Sequence, residues 1–93
     1  MKPLDKETLF KLVKGLMNKG FYVISTHAED RMKERGFTRE EIEHILFNPC
    51  DLVGEPRYDE EYKTYKYRIK NEENRSVVVS IDFDNLVIVV TVI

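Results

Sequence analysis

One cysteine, no tryptophan, four glycines and three prolines among 93 residues set the first limits on this chain. A lone Cys50 has no second cysteine for an internal disulfide or a thiolate metal cage, so a disulfide scaffold and a zinc finger are excluded. Long apolar runs are missing as well. No stretch reaches the roughly 18 uncharged residues that a membrane span needs. Met1, Lys2, Pro3, Leu4 and Asp5 lead into charged residues rather than a signal-peptide apolar core, so the expected location is cytoplasmic, without membrane contact. Charge of one sign is lacking too. The 15 Lys and Arg against 17 Asp and Glu give a net charge of -2, so no global basic field draws in nucleic acid and any polyanion site must be a local patch. There is no repeat, low-complexity run or linker.

What is present is a 42% hydrophobic fraction spread along the chain, too high for a disordered protein. The length suits a single domain over residues 1–93, with an N-terminal helix in 1–20 and a core over 21–93. Leu9, Phe10, Leu12, Val13, Leu16 and Met17 have helical spacing, with Asp5 as N-cap and Gly20 as a left-handed stop. The β-branched and aromatic run 21–25 reads as a strand. Thr26 with Glu29 has the spacing of a capping box opening a helix that carries His27 to Arg35 and stops at Gly36. Thr38 with Glu41 repeats it for a helix whose Ile42, Ile45 and Leu46 face inward and which Asn48-Pro49 ends.

Beyond residue 50 the period becomes that of strands. Residues 51–57 read as a weak edge strand interrupted by Gly54 and Pro56. Residues 62–69 form a stronger strand, 71–74 a polar turn, and 76–83 a strand with Val77, Val79, Ile81 and Phe83 on one face. Asp84-Asn85 turns the chain into 86–93, apolar on both faces and therefore central, and able to pair with the first strand. The expected fold is α+β: an N-terminal helix, a strand, two short helices and a three- to four-stranded antiparallel sheet covered by the helices on one face.

Two regions could carry chemistry. On the second helix, His27, Arg31 and either Glu34 or Arg35 recur at i, i+4 and i+7 or i+8, so an imidazole and one or two guanidiniums share a face. Such groups clamp phosphate and move a proton near neutral pH. The same spacing also suits a solvated helix with local ion pairs and a histidine that caps a carbonyl. On the strand at 62–69, alternation puts Tyr62, Thr64, Lys66, Arg68 and Lys70 on one face and Lys63, Tyr65, Tyr67 and Ile69 on the other. Tyr65, Lys66 and Arg68 are candidate RNA contacts, rings for bases and cations for phosphates. An ordinary amphipathic strand with inward tyrosines is the other reading. His44 is expected in solvent, Cys50 as a packed thiol, and Asp59, Glu60 and Glu61 as loop charges without partners. No metal-ligand spacing occurs, so neither a metal nor a cofactor is expected.

At His27-Ala28-x-x-Arg31-Met32-x-x-Arg35-Gly36-Phe37-Thr38-x-x-Glu41-Ile42 the sequence resembles a small bacterial and archaeal family, domain of unknown function 4258. The Asn48-Pro49 stop, a tyrosine-bearing strand and the Val87 to Val92 ending extend the similarity over about residues 21–93. That family looks like a distant relative of the RelE, ParE and BrnT toxins. The resemblance implies a RelE-like core of a strand, two helices and an antiparallel sheet, and cleavage of messenger RNA without a metal. The chain departs from such toxins in its net charge and in the lack of a basic tail after Ile93.

Two functional expectations follow. One is a toxin-antitoxin-like protein acting as a metal-independent endoribonuclease, with His27 as general acid or base, Arg31 and Arg35 on phosphate, and Tyr65, Lys66 and Arg68 on RNA. The other is a non-catalytic binding module that forms a homodimer or pairs with a small antitoxin-like protein through a sheet edge or its apolar last strand.

Overall fold

The computed structural model describes residues 2–60, 63–83 and 85–93. Helix α1 (Lys6–Asn18) starts at Asp5, whose Oδ1 accepts the Thr8 N–H at 2.8 Å, and buries Leu9, Val13, Leu16 and Met17. It ends in a paired turn: the Gly20 N–H donates to Met17 O at 3.0 Å and the Phe21 N–H to Leu16 O at 2.9 Å. That turn needs the positive φ of Gly20, +76°, and it delivers the chain directly into β1 (Tyr22–Ile24).

The second helix, α2 (Thr26–Arg35), begins differently from the sequence expectation. Ser25, not Thr26, is its N-cap. The Ser25 Oγ accepts the Ala28 N–H at 3.0 Å and donates to Val90 O at 3.0 Å, while the Ser25 N–H donates to Val89 O at 3.0 Å. Strand pairing thus holds the Ser25 backbone extended, and the last strand-like residue becomes the cap. The second capping box forms as expected at α3 (Arg39–Phe47): Thr38 Oγ1 accepts the Glu41 N–H at 3.1 Å and the Thr38 N–H donates to Glu41 Oε1 at 3.3 Å.

The single weak strand expected at 51–57 is two, β2 (Asp51–Leu52) and β3 (Arg57–Asp59), separated by Gly54, at φ +71°, and Pro56. Both pair antiparallel with β4 (Thr64–Lys70). Next come β5 (Ser76–Asp82) and β6 (Leu86–Val92). Among the described residues the sheet therefore has six strands, where three or four antiparallel ones beside the first strand were expected, in the order β1-β6-β5-β4-β2, with β3 also on β4. Tyr62, expected at the start of a strand, and Glu61 and Asp84, expected in loops, lie outside the described residues. Phe83, expected on the inner face, sits past the end of β5 at φ +48° and is 88% exposed. The hairpin begins at Asp82, whose carbonyl accepts the Asn85 N–H at 2.9 Å.

As its apolar content requires, β6 is internal. It pairs antiparallel with β5 and parallel with β1, Val23 opposite Ile88. Val78 faces Thr91 whereas Val79 faces Val89, so Val90 is an extra residue, a β-bulge. The bulge resets the alternation, and Val87, Val89 and Val92 all reach the core. There they join Val77, Val79, Ile81, Tyr67 and Ile69 beneath Leu9, Val13, Ala28, Ile42, Ile45 and Leu46 of the helices. The fold is α+β, with the helices on one face of a mostly antiparallel sheet. No described helix is long and apolar enough to cross a membrane.

Ser25→Ala is expected to cost about 1 to 2 kcal/mol in urea denaturation, since it removes a cap and a second bond to β6. Thr26→Ala is expected to change stability by less than about 0.5 kcal/mol. The reverse order would mean that the cap lies at Thr26.

Candidate nucleic-acid interface

Residues directly paired in a sheet point to the same side. The row through Val23, Ile88, Ser80, Lys66 and Arg57 therefore lies on the face away from the helices, as do Val78 with Arg68 and Ser76 with Lys70. The large fully buried side chains of the sheet all belong to the other face. The basic stripe expected on this strand is real: Lys66, Arg68 and Lys70 stand in line on β4, with Arg57 beside Lys66 on β3.

The stripe is partly neutralised and partly anchored. Asp59, expected as a partnerless loop charge, lies on β3 and pairs with Lys66 at 2.9 Å. Register explains this, since Asp59 and Lys66 are near neighbours across the β3–β4 ladder. The Arg68 Nε donates to Ser76 Oγ at 2.9 Å, which fixes the guanidinium over β5. Lys70 faces Asp51 across β2. The Asp51 carboxyl is held below the ordinary carboxylate range, first by the Leu52 N–H and then by Lys6 and Lys70.

Tyr65 and Tyr67 do not join these cations. Tyr67 is buried in the core and its hydroxyl accepts the Leu4 N–H at 2.9 Å. Tyr65 is half-buried on the helix side, with Tyr58 edge-on at 5.1 Å. Of the expected RNA contacts, Lys66 and Arg68 are on the open face and Tyr65 is on the opposite one, as strand alternation demands.

His27, Arg31 and Arg35 share α2, where His27 and Arg35 are exposed and Arg31 is half-buried beside Glu34, Nη1 to Oε2 at 3.7 Å. The helix lies against β6, two strands from β4, or about 10 Å at ordinary strand spacing. Neither Lys66 nor Arg68 is bonded to any of the three: Lys66 pairs with Asp59 and Arg68 with Ser76. The structure thus holds two separate cationic groups in place of one cleft.

A third constellation was not visible in the sequence. The Tyr22 hydroxyl donates to Glu43 Oε2 and accepts from Arg39 Nε at 3.1 Å, with the Arg39 guanidinium 5.1 Å from the Tyr22 ring centre. Arg39 and Glu43 are an i, i+4 pair that the sequence does display, but Tyr22 reaches them only through the fold. Burial first, and donation to Glu43 second, push the Tyr22 phenol up. A similar long-range pair stands at the same N-terminal end of α3, where Arg75 lies 2.8 Å from Glu41 and 4.0 Å from the centre of the Phe37 ring.

His44 is exposed, as expected. Cys50 is exposed rather than packed. Among the described residues no three His, Cys, Asp or Glu side chains cluster as metal ligands.

A family model described as a domain of unknown function (DUF4258) matches residues 24–93. No curated protein and no solved structure matches the chain.

Subtracting the spectrophotometric titration of Tyr22→Phe from that of the wild type is expected to isolate one phenol ionising above the ordinary value of about 10. Because the folded value is raised, the stability it lends is complete below that pH and is lost as pH rises through the folded value. A difference curve centred at or below the ordinary value would remove Tyr22 from the network.

Proposed function

The chain belongs to the DUF4258 family, and we propose that it is a RelE-like, toxin-antitoxin-type protein that holds single-stranded RNA on the uncovered face of its sheet. The observation that carries this reading is the stripe of Lys66, Arg68 and Lys70, flanked by Arg57, on a face that no helix covers. With Nε engaged by Ser76, the two terminal guanidinium nitrogens of Arg68 would take one phosphate as a fork. With Tyr65 and Tyr67 turned to the helix side, the Lys66 to Lys70 stripe reads phosphates rather than bases, and binding depends on salt more than on sequence.

Cleavage is a separate step in this reading. It needs no metal if the ribose 2′-hydroxyl attacks the adjacent phosphorus and the 5′-oxygen leaves, giving a 2′,3′-cyclic phosphate and a free 5′-hydroxyl. His27 would move the proton and Arg31 and Arg35 would steady the phosphate. Their place on α2, away from the stripe, makes binding and cleavage independently measurable. A second reading, a non-catalytic module that dimerises or pairs with a small antitoxin-like protein, is favoured by the outer edge of β1, where Phe21 is 50% and Val23 46% exposed.

Fluorescence anisotropy with a labelled single-stranded RNA dodecanucleotide is expected to show binding that weakens with salt. In Lys66→Gln/Arg68→Gln the salt slope should flatten by about 1.4, at about 0.7 for each phosphate that is no longer neutralised. Equal affinity in wild type and double variant would overturn the reading. Incubation of the same RNA in EDTA should give cyclic-phosphate ends with wild type and not with His27→Ala. Intact RNA with both would leave a binding protein without the cleavage step.

A further inference from the structure

The cations of this chain continue past the open face. Helix α1 lies outside the segment that the family model matches, and its Lys6, Glu7, Phe10, Lys11 and Lys14 line a groove of about 430 Å³ closed on the far side by Cys50. Phe10 and Lys14 are i, i+4 neighbours and Lys11 and Lys14 are i, i+3, so the ring and two ammonium groups share one surface of the helix. Lys11 and Lys14 are exposed, and Phe10 is half-buried between the core and the groove. Three lysines outnumber the single Glu7.

This groove is continuous with the basic stripe. The Cys50 N–H donates to Lys70 O at 2.8 Å, so the groove wall is bonded to the end of β4. Next in the chain, Asp51 stands between Lys70, its ladder partner, and the Lys6 Nζ at 3.4 Å. A cation on each side neutralises this acid, and it does not interrupt the positive run. From Lys66 to Lys70 is about 13 Å of strand, and from Lys6 to Lys14 about 12 Å of helix. Past Lys14 the surface turns acidic at Glu72 and Glu73, which ends the track.

We propose that the groove between α1 and Cys50 is a nucleotide subsite for single-stranded RNA. A strand leaving the sheet face at Lys70 rounds the β2 edge, sets phosphates against Lys11 and Lys14, and lays a base on Phe10. The subsite rests on the RNA reading above and supplies what the described residues around Lys66, Arg68 and Lys70 do not offer, an aromatic ring beside cations.

Cys50 makes the test direct, because it is the chain's one cysteine and it lines the groove. Wild-type protein is saturated with the RNA dodecanucleotide, as judged by anisotropy, and Cys50 is alkylated with a maleimide. The expected result is alkylation slowed at least fivefold by the RNA. Lys11→Gln/Lys14→Gln should weaken RNA binding roughly tenfold at 0.1 M salt and flatten the salt slope by about 1.4. Lys19→Gln, at the C-cap of the same helix and outside the groove, should bind as wild type does. If wild type binds RNA while Cys50 reacts at its free rate and the Lys11/Lys14 variant binds normally, the subsite falls and the sheet-face reading stands. If wild type binds no RNA, both fall. Equal protection of Cys50 by a poly-glutamate peptide would assign the groove to an acidic protein segment and overturn the proposal.

Discussion

Strand β6 must be covered on both edges and one face, and the parallel pairing of β1 with β6 is the constraint from which the rest of the structure follows. Nearly every residue of β6 is apolar, so an edge position would leave Ile88 and Val90 and the strand's backbone groups open to another chain. The β5 hairpin supplies one neighbour. The other comes from residues 22–24, and a parallel neighbour can be reached only by a crossover that leaves the sheet and returns. Helices α2 and α3 are that crossover. Because β1 is only three residues long, the task of lining β6 then passes to Ser25, which bonds the bulge at Val90 and caps α2 with the same oxygen.

Helices on one face leave the other face free. The core is completed by α1, so Tyr67, Ile69, Val77 and Val79 are sealed, while Lys66, Arg68, Lys70 and Val78 on the alternate positions stay partly exposed and Ser76 and Ser80 between them are buried. Strand alternation thereby sorts the side chains of β4 into inward tyrosines and outward cations. A chain with a net charge of -2 in this way presents a local positive stripe, part of it tempered by Asp59 and Asp51. Spatial sorting, rather than total charge, decides whether a polyanion can be held.

The separation of His27, Arg31 and Arg35 from Lys66 and Arg68 follows from the same topology. Helix α2 has to lie along β6 because Ser25 is bonded there, and β5 stands between β6 and β4. Residues that compositional reasoning groups as one polar set thus occupy two surfaces. Conversely, Tyr22 on the edge strand β1 meets Arg39 and Glu43 of α3 only once the chain has folded.

Local pattern alone determined the helices, the strands of the second half and the central place of the last strand, since these depend on period, caps and turn residues within a few positions. Asp5, Gly20, the Thr38 and Glu41 box and the alternation of β4 are all of that kind. Tertiary structure alone decided what depends on pairing between distant residues. It moved the cap from Thr26 to Ser25 through Val89 and Val90, divided residues 51–57 into two strands on β4, and turned Phe83 outward. It also gave Lys66 its partner in Asp59, exposed Cys50, and set Asp51 between Lys6 of α1 and Lys70 of β4. Contacts of this sort leave no period in the sequence, because each partner satisfies its own local pattern equally well before the chain closes.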